Sequence, residues 1–197
     1  MKTILSDLKT SVLLTLVFAV LLCGAYPLAV WAGGQAFFAD QANGSLITDK
    51  DGTVRGSALL AQSFTIDKYF QPRPSAAGTG YDASSSSGTN LGPTSQKLND
   101  NIKVAVAAYR AANGLAADAA VPADAVTSSG SGLDPHISPA NAQLQAARVA
   151  LARRLSRDEI QTLIAQATRG RDWGVFGEPT VNVLQLNLAL DQFASAR

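Results

Sequence analysis

From Thr10 to Ala39 the chain carries no charged side chain, and nothing else in the sequence constrains its fate as strongly. A helix rises about 1.5 Å per residue, so Ser11 to Trp31 covers about 30 Å, the hydrocarbon thickness of a bilayer. The run reads as one transmembrane helix over residues 11–31, preceded by a short terminus over 1–10 and followed by a polar domain over 40–197. Tyr26 and Trp31 stand near its outer end, at the depth amphipathic rings prefer. Pro27 interrupts the helix, and the carbonyl it frees is expected to find a donor on a neighbouring helix. The amino terminus, Lys2 and Lys9 precede the span against Asp7, whereas Asp40, Asp49, Lys50 and Asp51 follow it. Positive flanks stay in the cytoplasm, which puts the N-terminus inside and the C-terminal domain outside, in an extracytoplasmic position at the plasma membrane.

The same basic start and apolar core, ending in Val30-Trp31-Ala32, also resemble a cleaved export signal, the rival reading of this segment. Against cleavage stand an apolar core longer than the usual ~7–15 residues and the bulk of Trp31. Leu22 before Cys23 is not the small residue a lipoprotein anchor takes, so Cys23 is read as membrane packing. It is the only cysteine, which leaves the exported domain without a disulfide and dependent on packing. A net charge of +1 and 16% charged residues exclude the clustered basic face that nucleic acid requires.

Beyond the span there is room for one modest core. Gly44 to Thr48 and Thr53 to Ser57 flank Asp49-Lys50-Asp51-Gly52, a strong turn signal, and predict a hairpin. Residues 76–94 are dense in Gly, Ser and Asn, with Ser84 to Gly88 close to low complexity, and predict a long loop that stays mobile unless a partner orders it. Leu98, Ile102, Ala105, Val106 and Tyr109 recur at helical spacing between a Ser95 cap and an Asn113-Gly114 stop. A second helix starts at Ser138-Pro139, with an apolar line through Leu144, Ala147, Leu151 and Leu155. A third starts at the Ser156/Glu159 capping box, buries Ile160, Leu163, Ile164 and Ala167 and runs to Gly170, making a helical hairpin with the second. Thr180 to Val183 predicts a strand, and Leu186, Leu190 and Phe193 a closing helix. Strands and helices segregate more than they alternate, so the fold class is mixed α+β.

The only histidine, His136, lies near Ser131 and Asp134, but Ser129 and Leu133 occupy the glycine places of a nucleophile elbow, and the segment reads as a turn. Asp134 and His136 alone do not complete a zinc set, and alternating calcium carboxylates are missing. Neither Gly78-Thr79-Gly80 nor Ser128 to Gly132 carries the lysine and hydroxyl of a phosphate loop. Arg148, Arg153, Arg154, Arg157, Arg169 and Arg171 outnumber Asp158, Glu159 and Asp172, which makes the helical hairpin locally basic. Such a face is ordinarily solvated, with an acidic partner surface or lipid headgroups as the alternatives.

Several blocks, in order and over nearly the whole chain, carry a resemblance. They include Tyr26-Pro27, Gln41 to Ile47, Val54 to Leu59 with Gln62 and Phe64, and Tyr69-Phe70 with Arg73 to Ala76. Ser87 to Leu91, Val126-Thr127 through Ser131 to Ile137, Gln145 with Arg148 to Ala150, and Gly177 to Val183 leading into Leu186 to Asp191 complete the set. Together they resemble the C subunit of the bacterial potassium-transporting P-type ATPase, the Kdp complex. The resemblance implies an accessory, non-catalytic subunit of a pump that takes up potassium at the expense of ATP. It also implies a chaperone-like role that raises the ATP affinity of the catalytic subunit. The partners implied are the channel-like potassium-binding subunit, the P-type ATPase catalytic subunit and membrane lipid. No cofactor of its own is expected, ATP entering only with the catalytic subunit through a contact at Gln145 or the loop Ser128 to Leu133. Pro27, Tyr69, Phe70, Arg73, Asn90 and Leu91 are the expected interface residues. The alternative is a tethered or secreted binding module with no ATPase partner.

Overall fold

The computed structural model describes residues 2–49 and 51–195 and resolves them into two units, one ending at Leu46 and one starting at Ile47. The first unit is almost wholly helical: α1 (Lys2–Val20) and α2 (Tyr26–Phe37), joined by a π-helical segment, Leu21–Ala25, and followed by the single turn α3 (Ala39–Ala42). Thr3–Phe37 is long and apolar enough to cross a membrane, and none of its most apolar stretch is buried. Three hydroxyls close back onto the helix, Thr10 on Ser6, Ser11 on Asp7 and Thr15 on Ser11, at 2.8 to 3.0 Å. Serine and threonine thus add no unsatisfied donor to an apolar setting. Pro27 sits in the first turn of α2, directly after a π turn in which the Tyr26 amide bonds the Leu21 carbonyl.

The expected hairpin follows at the boundary, β1 (Leu46–Thr48) and β2 (Val54–Ser57), closed by the Asp49 amide on the Thr53 carbonyl at 2.9 Å. Lys50 of that turn lies outside the described residues. After a long irregular stretch comes α4 (Gln96–Ala112), capped by the Ser95 hydroxyl on the Leu98 amide. Its predicted inward line, Leu98, Ile102, Ala105, Val106 and Tyr109, is the half-buried one. Next follow the short strand β3 (His136–Ile137), α5 (Pro139–Arg153) with its Ser138 cap, and α6 (Arg157–Ala167) with the complete Ser156/Glu159 capping box. Two-residue β4 (Thr168–Arg169), β5 (Thr180–Asn182) and α7 (Val183–Ser195) end the chain. The sheet is antiparallel with β5 central, pairing Ile137 and Thr168 on either side of Val181.

Helices α5, α6 and α7 pack on this small sheet, and Phe70, Ile137, Val149, Ile160, Ile164, Val181, Leu186 and Leu190 form a continuous core. Three expectations need correction. Leu151 is 84% exposed, and the buried line of α5 runs instead through Ala142, Gln145, Ala146, Val149 and Ala150. A polar residue inside the apolar face displaced the sequence reading, because Gln145 looks solvated by composition. The third helix ends at Ala167 rather than Gly170, since Thr168 and Arg169 extend to pair with β5. Val183 opens the last helix instead of closing the strand.

Candidate functional site

The irregular segment from Ala58 to Ser75 has no strand neighbour, yet it lies partly in the core, so its backbone groups need partners. Side chains of the helices and of β5 provide most of them, and the Leu133 carbonyl takes the Ala61 amide. Asn187 on α7 accepts from the Phe70 amide (2.8 Å) and donates to the Phe70 carbonyl (2.9 Å). Gln145 on α5 treats Gln71 the same way, at 2.8 and 3.0 Å. Arg148 reaches the Asp67 and Tyr69 carbonyls, Arg153 the Lys68 carbonyl, and Asn182 the Ala58 carbonyl. Each carboxamide offers a donor and an acceptor at the spacing of one peptide unit, so it stands where a neighbouring strand would. Phe70 is thereby held fully buried, and any external contact from the Tyr69-Phe70 pair comes from the half-buried Tyr69.

Gln145 is also the centre of a wider network. Its Nε2 donates to Asn141 Oδ1, its Oε1 accepts from Arg148, and Arg148 continues to Asn113 Oδ1. Asn141 in turn accepts from the Tyr109 hydroxyl (2.7 Å) and donates to Asp124, which also receives the Ser138 amide and hydroxyl. Burial pushes the Tyr109 hydroxyl well up, the Asp124 charge adding to it, and pushes the Arg148 guanidinium down. Gln145 is 1% exposed with four in-chain hydrogen bonds, so a nucleotide contact there requires those bonds to be exchanged.

Arg73 latches the loop that follows α4. Its guanidinium meets Asp134 Oδ2 at 3.1 Å and the Thr127 and Ser128 carbonyls at 3.4 and 3.3 Å. Asp134 Oδ1 accepts from the His136 amide at 3.0 Å and faces its Nδ1 at 3.4 Å. Burial alone would raise the Asp134 carboxyl, but the hydrogen bonds from His136 and Arg73 outweigh it and hold the group below its ordinary value. Ser131 Oγ accepts the Leu133 amide and pairs with Ser129, so Ser131, Asp134 and His136 are turn partners and not nucleophile, base and orienter. Among the described residues no three His, Cys, Asp or Glu side chains converge.

The Gly/Ser loop folds over this turn. Ser87 donates its amide to the Ser131 carbonyl (2.9 Å), and Ser75 Oγ bonds the Gly132 carbonyl (2.6 Å) while receiving the Tyr81 amide. Gly132 (φ 69°) is required here, because a Cβ would stand 2.5 Å from the Ser87 carbonyl oxygen and 2.7 Å from the Ala77 nitrogen. Asn90 is exposed with φ 52°, and Tyr69, Arg73 and Leu91 are half-buried, so of the expected interface residues in the domain Phe70 is the one fully buried.

A cavity of about 480 Å³ opens beside the clamp, lined in part by Asp49, Arg55, Gln62, Tyr69 and Asp191. Asp191 accepts from the Tyr69 hydroxyl (2.9 Å) and pairs with Arg153 (2.7 Å), whose guanidinium lies 4.7 Å from the Tyr69 ring centre. Arg153 Nη2 is buried without a partner among the described residues. Sequence reasoning missed Asn187, Asp191 and the structural task of Arg148 and Arg153. The available signal was polar side chains placed on otherwise apolar helical stripes.

These features define a class: an α+β domain, clamped by its own buried carboxamides, that follows one helix long and apolar enough to cross a membrane. The sequence family described as "K+-transporting ATPase, c chain" matches residues 8–192. The potassium-transporting ATPase KdpC subunit of Mycobacterium bovis (strain BCG / Pasteur 1173P2) is 56% identical over 94% of this chain and 98% of its own length. Its counterparts are 54% identical in Caulobacter vibrioides (strain NA1000 / CB15N), over 95% and 93%, and 52% in Koribacter versatilis (strain Ellin345), over 94% of each chain. The chain belongs to the KdpC family.

Proposed function

We propose that this chain is the non-catalytic C subunit of an ATP-driven potassium uptake complex, held in the plasma membrane by its first helix. The observation that carries this reading is a family match running through helix and domain alike, from residue 8 to residue 192. Its partners are the channel-like potassium-binding subunit and the P-type catalytic subunit. The charge bias across the helix supports a cytoplasmic position for residues 1–10 and an outside position for the domain from residue 40. From there the domain stabilises the assembly beside the channel-like subunit. An effect on the ATP affinity of the catalytic subunit then passes through the membrane helix, because nucleotide binds on the opposite side. The π segment Leu21–Ala25 supports that route, since such bulges concentrate where helices do functional work.

The test is gentle detergent extraction of the tagged chain from potassium-starved cells, followed by mass spectrometry of what accompanies it. Recovery of both other subunits is expected. Recovery of the stable chain alone overturns the reading and restores an independent binding module.

A further inference from the structure

The hairpin between β4 and β5 projects from the domain. Every residue from Arg169 to Pro179 is exposed, and a Cβ built on Gly170, Gly174 or Gly177 meets nothing within 4 Å. At its tip stand Trp173, Val175 and Phe176, 91%, 69% and 62% exposed. Apolar side chains in such a position face water at a cost, and here the backbone is built to keep them there. Trp173 adopts φ 52°, in the left-handed region that bulky residues seldom enter, followed by Gly174 at φ 76°. Asp172 and Phe176 exchange both backbone hydrogen bonds, at 2.9 and 3.0 Å, which closes the loop. The Trp173 and Phe176 rings meet edge to face at 6.0 Å. Two ion pairs brace the stem, Arg169 with Asp172 (2.6 Å) and Arg171 with both oxygens of Glu178 (2.8 and 2.7 Å). The tip is a closed and braced mount for two aromatic rings.

We infer that this tip is a second membrane anchor, inserting Trp173 and Phe176 into the lipid headgroup layer of the bilayer that holds the first helix. The inference rests on the membrane-anchored reading above. The segment between Phe37 and Leu46 reaches at most about 30 Å when fully extended, so the start of the domain stays within that distance of the end of the helix. Trp and Phe on an otherwise polar loop match what settles at the headgroup level, where an apolar face and a polar edge are both satisfied. The two arginines are neutralised within the hairpin, so insertion does not depend on anionic lipid. A protein partner fits less well. A stable protein interface takes about 800 Å² from each side, whereas this tip offers three apolar side chains ringed by glycine and paired charges.

The full chain carrying Trp31→Phe, which leaves Trp173 as its only tryptophan, is reconstituted into phosphatidylcholine vesicles and floated with them. The expected result is a blue-shifted Trp173 emission, loss of most of it to lipid spin-labelled near the headgroup, and protection from iodide. A chain that floats while Trp173 stays open to iodide and indifferent to spin-labelled lipid overturns the inference. Protection that appears only when the other subunits are present, again without lipid quenching, also overturns it and assigns the tip to a protein contact. A chain that fails to float overturns the membrane-anchored reading itself, so the two failures are told apart.

Discussion

Replacing Asn187 by alanine tests whether side chains stand in for a missing strand. Asn187 is 1% exposed, and its carboxamide meets both backbone groups of Phe70, itself 0% exposed, at 2.8 and 2.9 Å. Truncation leaves a buried N–H and a buried C=O with no partner and no route to water. Each such group costs about 1 to 3 kcal/mol, so the loss is roughly 2 to 6 kcal/mol before the emptied volume is counted. That is a large part of a typical margin of about 5 to 15 kcal/mol. For a domain of this size it corresponds to a fall of about 2 to 4 °C in melting temperature per kcal/mol. The assay is thermal unfolding of the full chain in detergent, followed by near-ultraviolet circular dichroism, with hydrogen exchange at the Phe70 amide. Asn187→Leu separates the causes, because it restores the volume and leaves the same two orphans. Both variants should melt far below the parent and lose protection at Phe70. If Asn187→Leu melts with the parent, the hydrogen bonds carry no weight and the clamp argument fails.

Two further perturbations probe the turn that Arg73 latches. Gly132→Ala places a methyl 2.5 Å from the Ser87 carbonyl oxygen at a positive φ, so it should destabilise by more than about 1 kcal/mol and release the Gly/Ser loop, read as faster proteolytic cleavage within 76–94. Asp134 has a folded-state pKa below its ordinary 3.8, so its stabilisation is complete above that value and disappears as pH falls through the lower folded value. Asp134→Asn should therefore melt below the parent at neutral pH, the difference closing in strong acid; a gap that widens on acidification contradicts the sign.

Local structure in this fold is legible in the sequence and long-range pairing is not. Ser95, Ser138 and the Ser156/Glu159 box each satisfy backbone amides within a few residues, so the caps and helix starts were visible in the chain. The two-residue strands β3 and β4 carry no period of their own and exist because β5 runs between them. The partners of Phe70 and Gln71 lie far along the chain, at Asn187 and Gln145, and no pattern of spacing announces such a pairing. Hydrophobic periodicity put Leu151 inside because it treats every carboxamide as solvated, whereas Gln145 is buried by the hydrogen bonds it makes.

The same misreading bears on function. The resemblance offers Gln145 as a nucleotide contact and Tyr69 as an interface residue, while Arg148 reads as part of a solvated basic face and His136 as part of a turn; all four side chains are engaged inside the domain. Gln145 and Arg148 hold the backbone of residues 67–71, Tyr69 meets Asp191, and His136 completes the turn at Asp134. Polar chemistry in this fold orders a segment that lacks a sheet of its own. The domain therefore meets other molecules through what that ordering leaves outside, and its most concentrated apolar feature is the braced tip at Trp173 and Phe176.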